Sequence, residues 1–295
     1  MVDDTPNPVR LLVVSFDTVF PDNARAHAEA FRSAVTFLSQ STGLPPHLFA
    51  RDMRPSAGGR AQPPEDISAL PLEGELTKRL SRDARKAVAM SAVQVYRDAR
   101  LASECARPGV VETLGRLIRP DGNRPPMAVV GVSVLPPAAL QAQADRLRLP
   151  AGCLDELIGV RHVEVESSFG ATHSGIPVSC IATQTPGLGT DILIRLCASR
   201  QIPPAQTAFL SGPEGIGLPA AATLGMHTIQ LRDSMTQEDG RRSQWLRDAL
   251  DGRGGAPAAK FVISRLEQLT DLPCFTPRSR PQAPRPLPRR PDNGR

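Results

Sequence analysis

The sequence predicts an α/β protein: a Rossmann-like parallel sheet with helices on both faces, and a helical insert after the first strand. Three observations point there. Leu11-Leu12-Val13-Val14 is a short continuous apolar run near the start, as expected of a strand buried on both faces. Further short runs at Met127–Val130, Thr207–Ser211 and residues 227–231 alternate with stretches of helical period. At 295 residues and 40% apolar composition, the chain can bury one large domain, or a domain plus an insert.

The first strand leads into Ser15-Phe16-Asp17-Thr18-Val19-Phe20 and then the turn formers Pro21-Asp22-Asn23. Ligands of open α/β sheets bind beyond the carboxyl ends of the strands, so Asp17 lies where chemistry is expected. Asn23 to Ser41 reads as a helix, with Ala28, Phe31, Val35 and Leu38 on one face. Residues 51–74, rich in Pro and Gly, read as an irregular connection. Glu75 to Ala106 is amphipathic through Leu76, Leu80, Val88, Val95 and Ala99. A Pro-Gly turn, a helix, the strand Met127–Val130 and another helix follow.

Residues 161–189 mix short β-like runs with Gly and Pro. His162, His173, Glu164 and Glu166 match no standard metal-ligand spacing and read as solvated charges on an edge strand. Asp191 to Arg200 predicts a helix, and residues 232–259 a polar insertion with one helical piece around Trp245. The stretch AAKFVISRLEQLTDL then predicts a short strand and a closing helix.

Charge and cysteine content narrow the function classes. The formal charge of +5 is carried by the tail, since residues 276–295 hold six Arg against one Asp. The body is therefore not a basic nucleic-acid-binding domain. That tail predicts a disordered end able to contact acidic surfaces. Five scattered cysteines without C-x-x-C spacing exclude a disulfide framework and a zinc knuckle. With no signal-peptide pattern and no run of membrane-spanning length, the expected location is the cytoplasm.

An apolar strand opening into Phe16-Asp17 resembles the first motif of the haloacid dehalogenase (HAD) superfamily. There one Asp attacks a phosphoryl group and a second, two residues on, acts as acid and base. The stretch from Pro108 through the 127–130 strand is similar to that family's second motif, and IPPAQTAFLSGPEGIGLPAAATLGMHTIQLRD to its strand, turn, Leu-Gly-Met helix and strand. The resemblance implies a HAD-like core over residues 1–20 and 107–275, a helical cap over 21–106, and a tail at 276–295.

Measured against the family pattern, the chemistry is incomplete. The two-residue spacing gives Asp17 with Val19, or Ser15 with Asp17, so one carboxylate is missing either way. Gly131 stands at the expected end of the second strand where the family has Ser or Thr; Ser133 reaches the site only if the chain turns back. No lysine lies between Lys86 and Lys260, leaving Arg195 as a phosphate-binding candidate. Pro213 replaces the first acid of the magnesium turn, leaving Glu214 as the candidate metal ligand.

The resulting expectation is a catalytically degenerate HAD-like protein that binds a small phosphorylated ligand or a protein partner and needs no cofactor. The alternative is an active HAD phosphohydrolase using Asp17 as nucleophile, with Ser133 as a second catalytic candidate and magnesium as cofactor. GPEGIGL also resembles the cofactor loop of SpoU-type RNA methyltransferases, but the Ile-Pro strand and Ser-Leu-Asn segment that follow it in that family do not appear.

Overall fold

The computed structural model describes residues 8–52, 80–119, 127–161, 171–183, 187–213, 215–232 and 259–275. The expectations for residues 53–79, for His162, Glu164 and Glu166, for the insertion around Trp245 and for the tail lie outside these. Seven strands form one sheet: β1 (Leu11–Ser15), β2 (Ala128–Ser133), β3 (Glu156–Arg161), β4 (Val178–Ala182), β5 (Thr207–Ser211), β6 (His227–Leu231) and β7 (Phe261–Ile263). Their spatial order is β4-β3-β2-β1-β5-β6-β7, and every neighbouring pair is parallel. The chain thus steps outward from β1 to β4, then returns to the other side of β1 with β5. That reversal is a topological switch point, and it lies beside the end of β1.

Alternation along the strands feeds two apolar layers. Leu12, Val14, Val129 and Leu210 pack on one face with Leu114 and Leu117 of α5 (Val110–Ile118), Leu140 of α6 (Pro137–Arg146), and Leu266 and Leu269 of a closing 3₁₀ helix (Leu266–Asp271). Leu11, Val13, Val130, Val132 and Phe209 pack on the other with Ile192, Leu193 and Leu196 of α7 (Thr190–Arg200), and Leu218 and Ala221 of α8 (Leu218–Thr223). β1 is fully buried because it sits between both layers. Among the described residues no helix is long and apolar enough to cross a membrane.

After β1 comes a single helical turn, α1 (Phe16–Val19), and then α2 (Asn23–Thr42), α3 (Pro46–Asp52) and α4 (Arg82–Ala102). Asp22 caps α2 by accepting the Arg25 N–H at 3.1 Å, and Gly43 closes it at φ +67°. Ala30, Ala34 and Leu38 of α2 meet Ala92 and Tyr96 of α4 in an apolar cluster of their own, separate from the two layers on the sheet. The chain leaving for α2 and the chain returning from α4 run side by side. Asp22 N–H donates to the Cys105 carbonyl at 2.9 Å, and Arg107 N–H donates to that of Phe20 at 2.7 Å. The Arg107 guanidinium also donates to the carbonyls of Val19 at 3.0 Å, Thr18 at 3.4 Å and Pro21 at 3.5 Å.

Two sequence expectations need correction. The second strand does not stop at Val130 but continues through Gly131 and Val132 to Ser133. Gly131 is no terminator. It pairs with Val14 and Leu157, and a Cβ there would lie 2.7 Å from Leu157 Cδ2, so the missing side chain makes room for a neighbouring strand. The closing helix is a 3₁₀ segment. β3 and β4 were not anticipated as sheet strands; Gly159 interrupts the apolar run of β3 because the 135–137 backbone lies within about 3 Å of where its Cβ would be. No segment of β5–α8–β6 bears out the methyltransferase alternative: β5 and β6 are adjacent parallel strands joined by a short crossover through α8.

Candidate functional site

The site is built on the ends of β1, β2 and β5. Ser15 is the last residue of β1, 1% exposed, and its Oγ accepts a hydrogen bond from Thr18 Oγ at 3.0 Å. Thr18 Oγ in turn accepts the Gly212 N–H from the end of β5 at 3.0 Å. A Cβ on Gly212 would lie 2.4 Å from the Thr18 carbonyl oxygen, so only glycine lets the β5 turn approach α1 this closely.

Asp17 sits half-buried in α1. Its carbonyl accepts the Asn23 Nδ2–H at 3.1 Å. Its carboxylate reaches across to β2, where Ser133 Oγ stands 2.7 Å from Oδ1 and 2.8 Å from Oδ2 and donates to it. The Val134 N–H donates to Oδ2 at 3.2 Å. Ser133 is fully buried, and its Oγ accepts the Leu135 N–H at 2.9 Å, which directs the hydroxyl proton toward Asp17. Charge-assisted bonds of this kind are about twice as strong as neutral ones.

The β5 side of the rim is chemically different. Gly212, Pro213, Gly215, Ile216 and Gly217 follow Ser211, and none carries a charge. The Pro213 carbonyl accepts from Gln230 Nε2 at 2.9 Å, and Ser211 Oγ donates to the Ile216 carbonyl at 3.0 Å. At φ +82° Gly217 opens α8, with the Phe209 ring 2.6 Å from the position of a Cβ. The turn is held by its own polar groups.

Of the residues singled out in the sequence, the structure brings Asp17 and Ser133 together. Arg195 lies elsewhere: its Nη1 donates to the Ala182 carbonyl at 3.0 Å, at the end of β4. β4 is three strands from β1, about 14 Å at ordinary strand spacing. Glu214 lies outside the described residues. His173 pairs with the Asp145 carboxylate at 2.8 Å, away from the strand ends that carry Asp17. Sequence reading missed the backbone donors Val134 and Leu135, which no side-chain pattern encodes, and the tie between Thr18 and Gly212. A signal for the close approach at the β5 turn was available in the Gly-rich run 212–217.

Between the two long helices that follow β1, His27 of α2 hydrogen-bonds Tyr96 Oη of α4 through Nδ1. Burial lowers the His27 pKa, and the nearby Arg100 adds to that shift; burial raises that of Tyr96. Burial pushes the Cys153 and Cys274 thiols up to about 11.

No family model matches the sequence, and no curated protein does. Solved structures do. A Thermotoga maritima protein assigned as a beta-phosphoglucomutase is 16% identical with a TM-score of 0.50, the match covering 89% of this chain and 97% of that one. A HAD-superfamily hydrolase from Geobacter sulfurreducens is 11% identical over 90% of this chain and 98% of that one, with a TM-score of 0.48. The HAD-hydrolase YfnB from Bacillus subtilis, solved bound to magnesium, is 12% identical over the same shares, with a TM-score of 0.47. The strand order and the Thermotoga match give this chain the HAD-like fold; at these identities the likeness is one of fold.

The described residues do not fit a magnesium site. No group of three or more His, Cys, Asp or Glu side chains gathers among them, and both Asp17 oxygens already accept hydrogen bonds. Magnesium asks for several oxygen ligands in near-octahedral geometry, usually including carboxylates. The β5 turn offers Pro213 at the position that the family pattern gives to an acid.

Proposed function

We propose that this chain is a HAD-like protein whose hydrolytic chemistry has lapsed, and which acts by binding a ligand or partner at the rim that α2–α4 cap. The observation that carries this reading is the end of β1. The strand closes on Ser15, so the pair with the family's two-residue spacing is Ser15 and Asp17, a hydroxyl followed by a carboxylate. Ser15 is buried and bonded to Thr18, which leaves it no path to an incoming phosphoryl group. Asp17 then stands in the acid–base position, with no carboxylate nucleophile before it to form an aspartyl-phosphate.

Electrostatics support the same conclusion. A phosphate dianion approaching the Asp17 carboxylate meets like-charge repulsion, which phosphoryl-transfer sites relieve with cations. The described rim supplies neither a metal cage nor a lysine. Five scattered cysteines without C-x-x-C spacing accord with a reducing cytoplasmic location.

One observation favours the active-hydrolase alternative, with Asp17 as nucleophile and magnesium as cofactor: a hydroxyl and a carboxylate do meet at 2.7 Å. Turnover separates the two readings. With an activated aryl phosphate and magnesium, the wild type is expected to release phosphate at the rate of the Asp17→Asn variant. Magnesium-dependent release that disappears in Asp17→Asn overturns the proposal in favour of an active enzyme.

A further inference from the structure

We infer that the cavity between the end of α4 and the end of α6 is a second binding site, for a small organic anion that carries an oxyanion group on an apolar body. The cavity holds about 420 Å³, within the range of small-molecule pockets. The chain leaving α4 contributes Leu101 and Ala106 to its lining, and the end of α6 contributes Arg146, Leu147 and Arg148. It lies apart from the rim. The ten residues of α6 rise about 15 Å between the loop after Ser133 and this end of the helix. The inference therefore does not depend on whether Asp17 is catalytic.

Two acids and two arginines line the cavity among the described residues, and the acids are already engaged. Glu104 Oε1 accepts from Gln143 Nε2 at 2.6 Å, and Oε2 accepts from Arg146 Nε at 2.8 Å. Asp145 Oδ1 accepts the His173 N–H at 2.7 Å, and Oδ2 lies 2.8 Å from His173 Nδ1. Arg146 spends only its Nε–H in this way, and Arg148 has no side-chain partner among the described residues. The uncommitted charged groups are therefore guanidinium N–H donors, which match the oxygens of a carboxylate or phosphate. Leu101, 53% exposed, supplies an apolar wall.

Arg148 also sits where its backbone disfavours it. It lies two residues past the end of α6 at φ +51°, and its N–H donates to the Asp145 carbonyl at 3.1 Å. The left-handed conformation crowds a Cβ against the backbone, and glycine is the usual occupant just after a helix C-cap. Arg146 in the last turn already complements the helix dipole, so the dipole does not call for a second arginine. Holding an anion gives the Arg148 side chain a task that the fold does not.

Cys105 lines the same cavity and is partly exposed, whereas the other four cysteines are buried, so its thiol reports on what the cavity admits. Two reagents test the inference at constant ionic strength: dithiobis(nitrobenzoate), an aromatic dicarboxylate, and dithiodipyridine, a neutral aromatic disulfide. With either, the thiolate sulfur attacks the reagent disulfide, forming a mixed disulfide and releasing one aromatic thiolate. The proteins are wild type, Arg148→Gly, and Cys105→Ser, which identifies the reaction at this thiol. Glycine suits the φ of residue 148, so Arg148→Gly keeps the fold, as circular dichroism would verify. The ratio of anionic to neutral rates, divided by the same ratio for N-acetylcysteine, is expected to be about fivefold or more in wild type. It is expected to fall about threefold or more in Arg148→Gly. The anionic rate is also expected to saturate with reagent concentration, as binding before reaction requires. A ratio of one in wild type, a ratio unchanged by Arg148→Gly, a strictly linear anionic rate, or a Cys105 inert to both reagents overturns the inference.

Discussion

The two halves of the rim, β1–β2 on one side and β5 on the other, share a scaffold, and their described residues differ in charge. At β1–β2 a carboxylate, a hydroxyl and an amide N–H meet within 2.7–3.2 Å. At β5 Gly212 is packed closely on Thr18, yet the described turn residues carry no ionisable group. The difference teaches that close packing and site chemistry are separable. Glycine-dependent contacts keep the strand ends in register, while the side chains that would gather a cation are a separate layer of sequence.

The sharpest way to break the comparison is to disturb the packing that both halves depend on. Gly212→Ala places a Cβ 2.4 Å from a backbone oxygen, which flexible side-chain motion does not relieve. A loss of about 3 kcal/mol or more in urea unfolding is expected, at the upper end of overpacking costs. Gly159→Ala meets the 135–137 backbone at 2.9–3.1 Å and is expected to cost about 1–3 kcal/mol while also displacing the loop that presents Val134 N–H. Gly115→Ala is the control: it sits inside α5 with nothing within 4 Å, and a gain of about 0.5–1 kcal/mol is expected. Equal losses at all three positions would show that the close approaches are not what holds the rim.

Next comes the polar contact. Ser133→Ala deprives the Asp17 carboxylate of its hydroxyl donor and leaves the Leu135 N–H without that acceptor. A loss of about 1–3 kcal/mol is expected, the cost of leaving a buried polar group unsatisfied. Stability unchanged in Ser133→Ala would mean that the contacts of its hydroxyl with Asp17 and Leu135 contribute nothing to the folded state.

A smaller effect belongs to the α2–α4 helices. The folded-state pKa of His27 is lowered from 6.5, first by burial and then by Arg100. A group with a depressed folded pKa contributes stability that is present above its unfolded pKa and lost as pH falls through the folded value, because the unfolded chain binds the proton first. Stability is therefore expected to decline below about pH 6.5, and the decline to shrink in His27→Gln. Identical pH profiles for the two proteins would remove His27 from the account. His227, lowered by burial and by Lys260, contributes in the same direction and remains in both proteins.

Much of the fold was legible because apolar periodicity reports burial directly. Leu11–Ser15 and Thr207–Ser211 lie where their apolar runs place them, since both strands are covered by helices on two faces. β3 and the end of β2 were not legible for a shared reason. Gly131 and Gly159 break the apolar pattern, yet each is there to let a neighbour approach, a tertiary demand invisible along the chain. Asp17 was legible from its place after an apolar strand. Its partners were less so: the Val134 and Leu135 amides belong to the backbone, and Ser133 reaches Asp17 only because β2 runs three residues beyond Val130.

Magnesium calorimetry tests the contrast between the two halves most directly. Wild-type protein titrated with magnesium chloride is expected to show no tight site, and a trace that superimposes on that of Asp17→Asn, because the Asp17 carboxylate, already hydrogen-bonded, is joined by no group of three or more His, Cys, Asp or Glu side chains among the described residues to make an octahedral oxygen cage. A single tight magnesium site in wild type, abolished by Asp17→Asn, would contradict the account and restore a charged, catalytically equipped rim.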